Sequence, residues 1–249
     1  MNIVEEYARQ FKWRSWGEVF DALPIVDGHA VLDLGCGIGD QAAELSKRGC
    51  RVVGIDGNCE LINFAISRNI RNARFEVDNI AALDKVAELF DGVWASFSPA
   101  YFPNNFSQTL ECWRRKLRKG GWIALTEVDD MFGHHPVSSR TETLLDEYAE
   151  DALSQSRYDF RMGHKLARYL ARAEFTVKKS FDIYDAELAF EGCASTEVKE
   201  AWQKRFEHMD LLRKFCSTEF QQVVSDFVSG ISRDDHWCSS KVWCCIATK

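Results

Sequence analysis

Apolar positions in the first half of the chain fall into short runs separated by helically spaced segments. Ala30–Leu34 is an apolar run that stops at glycines, which predicts a strand. Gln41 to Arg48 reads as a helix stopped by Gly49, and Arg51 to Asp56 as the next strand. Asn58 is placed to cap a second helix, in which Leu61, Ile62, Ala65 and Ile66 recur at helical spacing. Arg74–Val77 predicts a third strand, Asp84–Leu89 a short helix, and Gly92–Ala95 a fourth strand. Ser107–Lys119 reads as a long helix ended by Gly120-Gly121, with a fifth strand over Trp122–Glu127. This alternation implies parallel strands joined by right-handed crossovers, hence a doubly wound sheet. Ligands in such sheets bind beyond the carboxyl ends of the strands.

Beyond Val128 the pattern changes. His134–Leu170 is mostly helical in pattern, with Leu144, Leu145, Tyr148, Ala149 and Ala152 along one face. Phe175–Tyr184 predicts a sixth strand. Glu187–Gly230 returns to helix, with a buried stripe of Trp202, Phe206, Met209, Leu212 and Phe215, and Lys241–Thr248 predicts a final strand. Only four prolines occur, which disfavours a hinge between independent domains. The expectation is one domain over residues 1–249. Its core spans about 25–130 and 171–249, and helical cap insertions span about 131–170 and 187–230.

Composition narrows the class. The chain is 46% apolar with a net charge of -7, and phosphate binding wants the opposite sign, so no nucleic-acid partner is expected. Its nine cysteines include no CxxC pair, which suggests reduced thiols and predicts no metal site. Met1 to Glu6 has neither the basic nor the apolar stretch of a leader, and no apolar run is long enough to span a bilayer. A cytoplasmic protein with no membrane partner is expected.

The chemistry concentrates at strand ends. Gly35, Gly37 and Gly39 follow the first strand, and Asp33 stands two residues before the first of them. Glycines there let the backbone turn sharply and approach a ligand closely. A dinucleotide site wants Gly-x-Gly-x-x-Gly facing a pyrophosphate. An acid at the loop's entrance suits a cationic ligand better, and the sulfonium and amino group of S-adenosylmethionine are cationic. Asp56, followed by Gly57, ends the second strand, where a carboxylate can accept from two ribose hydroxyls. Asp78, after the third strand, can accept from an adenine amino group while the Asn79 N–H reaches a ring nitrogen. Alone, Asp56-Gly57 and Asp78-Asn79 are also turn sequences; three acidic strand ends in register are hard to assign to turns together.

As a set, these segments resemble the class I S-adenosylmethionine-dependent methyltransferases. Val31–Gly39 matches the first motif of that family, Val53–Gly57 its ribose-binding strand and Phe75–Ile80 its adenine segment. Asp91–Phe97 resembles its fourth strand, and Leu117–Glu127 its Gly-Gly turn and fifth strand. The resemblance covers about half of the chain. It implies an α/β fold, a doubly wound Rossmann-like seven-stranded sheet with helical cap insertions, in which Lys241–Thr248 is the one antiparallel strand. It implies S-adenosylmethionine as donor, with Asp33, Gly35, Cys36 and Gly37 near its methionine end. Asp56 and Gly57 would lie at the ribose, Asp78 and Asn79 at the adenine, and the backbone of Ala95 and Ser96 again near the methionine end. Arg161–Leu166 followed by Ala171–Phe175 is similar to the helix before the sixth strand in members that methylate small molecules, although those members have Gly where this chain has Glu174.

These features imply methyl transfer to a small-molecule acceptor. A protein or nucleic-acid acceptor, or a silent partner subunit, remains the alternative, and a nucleotide-dependent oxidoreductase is disfavoured by the glycine spacing. Ser98-Pro99-Ala100-Tyr101 only faintly resembles the Asn-Pro-Pro-Tyr segment of enzymes acting on amino groups. Candidate bases beyond the fourth and fifth strands are Tyr101, Glu127, Asp129, Asp130, His134 and His135, with the histidines attractive because imidazole titrates near neutrality. A pair of loop histidines is the plainer reading of His134-His135. In the aromatic and basic segment Tyr7–Trp16, Arg14 could pair with the methionine carboxylate, Tyr7 or Trp13 could cover the site, or the tryptophans could simply pack on the sheet.

Overall fold

The computed structural model describes residues 3–249; Met1 and Asn2 lie outside them. Two helices, α1 (Ile3–Trp13) and α2 (Trp16–Ala22), precede the sheet. Then come β1 (Ala30–Leu34), α3 (Asp40–Lys47), β2 (Arg51–Asp56), α4 (Cys59–Ser67), β3 (Ala73–Val77), β4 (Phe90–Ser96), α5 (Phe106–Arg115) and β5 (Leu117–Asp129). The second half holds β6 (His134–His135), α6 (Ser139–Ser154), α7 (Leu166–Arg172), β7 (Thr176–Ile183), α8 (Thr196–His208), α9 (Asp210–Cys216), α10 (Phe220–Gly230), β8 (Trp237–Cys238) and β9 (Lys241–Thr248).

Seven strands form one sheet in the order β3-β2-β1-β4-β5-β9-β7. β1 to β5 are mutually parallel, and β9 runs antiparallel to both β5 and β7. The α/β fold and the antiparallel final strand are therefore as expected. Alternate residues feed two apolar layers: Val31 and Trp94 enter one, while Leu32, Leu34, Val93 and Ala95 enter the other. A sheet covered on both faces needs this nearly continuous apolar run, which is why β1 and β4 read so clearly. The chain builds outward from β1 through β2 to β3, then crosses to β4 on the other side. That reversal opens a crevice between the carboxyl ends of β1 and β4.

Several elements differ from expectation. Asp84–Leu89 is not helical. Six residues are too few for a helix that stands alone, and a side chain engages this stretch instead: Lys116 Nζ donates to Val86 O at 2.6 Å, while just before it Trp113 Nε1 donates to Ile80 O at 2.7 Å. α5 ends at Arg115, not Lys119, because Leu117 already pairs with Phe90. The ladder then skips to Gly92 opposite Trp122, leaving Arg118–Gly121 as a bulge rather than a helix stop. His134–His135 pairs with Trp237–Cys238 instead of starting a helix, and Pro136 holds helix formation off until Ser139. Residues 187–195 are loop, and the remainder of that helical stretch divides into α8, α9 and α10. Glu174 takes φ +60°, the left-handed position that the resemblance fills with glycine. Among the described residues no helix is long and apolar enough to cross a membrane.

The Trp122 indole lies where a side chain at Gly92 would project, since a Cβ built there overlaps the ring. Gly92→Ala is expected to cost about 1–3 kcal/mol through overpacking at the sheet centre. Urea unfolding would show this as a lowered midpoint, and an unchanged midpoint would mean that Trp122 moves aside freely.

Candidate functional site

The loop after β1 makes an unusual demand on backbone. Gly35 and Gly37 take φ +72° and +51°, a region costly for L side chains. Space is short as well: a Cβ at Gly35 would overlap Ser98 Oγ, and one at Gly37 would come within 2.9 Å of the Tyr7 ring. Gly35 and Cys36 both donate to Ile55 O, at 2.8 and 3.1 Å, which ties the loop to β2. Arg68 Nη1 clamps its far side through Ile38 O at 2.6 Å and Asp40 Oδ1 at 2.7 Å.

Over this loop lies a cavity of about 570 Å³. The glycine loop and the β2 turn (Asp56 to Asn58) form part of its wall, with Ser96 to Ser98 after β4 and Tyr101 and Phe102 beyond. Glu6, Tyr7, Gln10, Phe11 and Arg14 reach it from α1 and the residue after it. Val128, Met131, Tyr158, Leu188 and Arg205 complete the wall from the second half of the chain.

Of the residues singled out by sequence, Gly35, Cys36, Gly37, Asp56, Gly57, Ser96, Arg14 and Tyr101 are brought together here, with Tyr7 beside them. Asp56 is held at both oxygens: Oδ2 accepts from Gly37 N at 3.0 Å and Oδ1 from Asn58 N at 2.8 Å. Asp33 lies at the root of the loop, 1% exposed, with Oδ2 buried and without a partner. Burial, with Asp56 adding to it, pushes the Asp33 carboxyl up to about 8. Tyr7 is pushed up to about 12, by burial first and then by Tyr101 and Asp56. Arg14 is already paired, its Nε donating to the buried Asp185 Oδ2 at 2.5 Å while the guanidinium lies 4.0 Å from the Phe97 ring centroid.

Other candidates stand elsewhere. His134 is fully buried among Phe190, Trp202 and Phe227, its Nδ1 3.0 Å from His236 Nε2. Burial drives its ring down to about 3, so it is neutral, and neither it nor His135, which stacks on Trp237, lines the cavity. The expectation of a histidine base gives way to a packing role. Asp78 also fails to reach the cavity because its carboxylate turns back to accept from Asn79 N at 2.9 Å; Ile80 lines the wall instead. Ala95 is enclosed in the sheet. Glu127 is fully buried, accepts from Ala100 N at 3.1 Å and Val128 N at 3.0 Å, and is pushed up to about 8 by burial. Tyr158, Leu188 and Arg205 carry no sequence mark. A loop tyrosine, a loop leucine and an arginine on a charged helix face are ordinary until the fold brings them to one wall.

A family model described as "Methyltransferase domain" matches residues 31–121, the stretch that contains the loop and its flanking strands. Over those residues, about a third of the chain, it is similar to a methyltransferase domain. The trans-aconitate 2-methyltransferase of Deinococcus radiodurans is 31% identical to it over 97 residues, 38% of this chain and 36% of that one. The 23S rRNA (uracil(1939)-C(5))-methyltransferase RlmD of Thiobacillus denitrificans is 41% identical over 66 residues, 24% of this chain and 15% of that one. These matches span less than half the length of the curated relatives. A solved phosphoethanolamine N-methyltransferase 2 of Haemonchus contortus, in complex with S-adenosyl-L-methionine, shares the fold of this chain at TM-score 0.56 and 19% identity, over 98% of this chain and 52% of that one.

Asp33 makes stability depend on pH. Unfolding returns it to the ordinary carboxylate range, so between that range and about 8 the folded protein holds a proton the unfolded chain has released. Its contribution to stability therefore falls as pH rises toward 8. Asp33→Asn removes this dependence. The variant is expected to gain on the unmodified protein from pH 6 to pH 8, by up to about 1.4 kcal/mol per unit, in urea unfolding. A gap that stays constant with pH would discard Asp33 as the source.

Proposed function

We propose that the chain binds S-adenosylmethionine over the glycine loop and transfers its methyl group to a small-molecule acceptor held in the same cavity. The observation that carries the reading is the Asp33 carboxylate, buried beneath the loop with an oxygen unpartnered. That position, backed by Asp56, favours a cationic donor over a diphosphate. The group fits the residues present: Gly35 to Gly37 would lie along its methionine portion, and Asp56 has lone pairs left for ribose hydroxyls. Its sulfonium supplies an activated methyl and is itself a good leaving group.

What remains for the protein is alignment and exclusion of water. Tyr7 and Phe11, on α1, cover the loop side of the cavity. Tyr101, edge-on to Tyr158 at 4.9 Å, offers a hydroxyl at the acceptor end, and we assign it to orient the acceptor. We read the helices of residues about 131–170 and 187–230 as a cap on this single domain.

A small acceptor is supported by three things. The volume lies in the range of small-molecule sites, roughly 300–1,000 Å³. Glu6, Asp40 and Asp56 give the wall an acidic side that repels a phosphate backbone. The trans-aconitate enzyme acts on a small molecule by its name, whereas the ribosomal RNA enzyme matches over a shorter stretch.

Titration calorimetry with S-adenosylhomocysteine and with NAD tests the donor. Binding of the first and not the second is expected; the reverse would overturn the reading. Asp56→Ala is expected to weaken S-adenosylhomocysteine about tenfold or more, since it removes a charged acceptor and the Gly37 anchor.

A further inference from the structure

Arg205 reaches the cavity from α8, well outside the residues that match the family model. Its side chain is 19% exposed, and its Nη2 donates to Glu187 Oε1 at 2.5 Å. The arrangement is incomplete on both sides: Arg205 Nε and Glu187 Oε2 are both buried without a partner. The backbone of Glu187 is held at both of its hydrogen-bonding groups. Its carbonyl accepts from Trp202 Nε1 at 2.9 Å, one turn earlier on the same helix, and its N–H is taken by Asp185 Oδ1 at 2.8 Å. A buried guanidinium held by one oxygen keeps unused donors in a fork suited to a carboxylate.

Arg14 sits on the same wall in a parallel arrangement, fastened to Asp185, two residues from Glu187. The donor proposed above has one carboxylate, and the cavity presents two arginines. The wall it shares carries Leu188, Met131, Tyr158 and Tyr101, and Tyr158 and the Glu6 carboxylate of α1 lie within electrostatic reach of Arg205, so an anion must take donors turned away from Glu6. Glu187 already offsets the charge of Arg205, so a monoanion is accommodated at less cost than a phosphate dianion.

We propose that Arg205 recognises the methyl acceptor, and that the acceptor is a small, largely apolar molecule carrying a carboxylate. This rests on the reading of the cavity as a donor and acceptor site. The carboxylate takes the donors that Glu187 leaves free, and the apolar body packs on Leu188, Met131 and the two tyrosines.

The test uses the full chain saturated with S-adenosylhomocysteine and a panel of small aryl and alkyl carboxylic acids, their primary amides and the matching phosphate monoesters. Ligand-observed NMR reads binding. The acids are expected to bind at least tenfold more tightly than their amides and more tightly than the phosphates. Arg205→Met combined with Glu187→Gln, which leaves no unpaired buried charge, is expected to abolish the acid preference while S-adenosylhomocysteine affinity stays within twofold. Arg205→Lys keeps a charge for Glu187 but loses the fork, and is expected to cut the preference severalfold. Should the double variant fail to fold, Arg205→Lys decides. Equal binding of acids and amides, or a preference that survives these substitutions, would overturn the proposal. A phosphate preference would overturn the carboxylate assignment. Failure of the unmodified protein to bind S-adenosylhomocysteine would instead overturn the donor reading, and the proposal with it.

Discussion

The cavity depends on one constraint: between β1 and α3 the backbone must pass close beneath a ligand with no side chain in the way. Gly35 and Gly37 meet it by taking left-handed conformations where Ser98 and Tyr7 leave no room for a Cβ. The bare loop lets α1 settle over it, so Tyr7 becomes a wall of the cavity while still 38% exposed. It also leaves Asp33 dry. A carboxyl that burial keeps protonated up to about pH 8, with an unpartnered oxygen, is a standing cost in the empty protein, and it makes sense at a place where an arriving positive charge would draw the proton off.

The sheet is legible in the sequence because strands covered on both faces must be apolar at nearly successive positions, as the parallel Ala30–Leu34 and Arg51–Asp56 and the antiparallel Lys241–Thr248 largely are. The α4 cap is legible for a local reason: Asn58 Oδ1 accepts from Glu60 N and Leu61 N within its own turn. Asp84–Leu89 misleads because its Val86 carbonyl is satisfied by Lys116, just beyond α5, which no local pattern reveals. The same division holds in the cavity. Residues whose role follows from a strand end, such as Asp56, can be read directly. Those recruited across the fold, such as Tyr158 and Arg205, cannot, because their neighbours are far away in the chain.

The short segment after β7 links these two kinds of residue. Asp185 fastens Arg14 and caps the turn into Leu188, and Glu187 fastens Arg205. Ser15 N donates to Tyr184 O and Ala186 N to Trp13 O, so the junction of α1 and α2 is stitched to the same few residues. Both arginines on the cavity wall are thus set by one stretch of backbone.

The place of β9 bears on how the molecule comes to be. β9 lies between β5 and β7 although it is the last strand of the sheet to be synthesised. Until it emerges, β5 keeps an open edge along Trp122 to Asp129, eight positions that pair with β9 in the finished fold. A nascent chain stalled after α10 therefore presents a long apolar strand with unsatisfied backbone groups, a form prone to self-association. Closure of the sheet waits on β9, and so does whatever protection from aggregation the native fold provides.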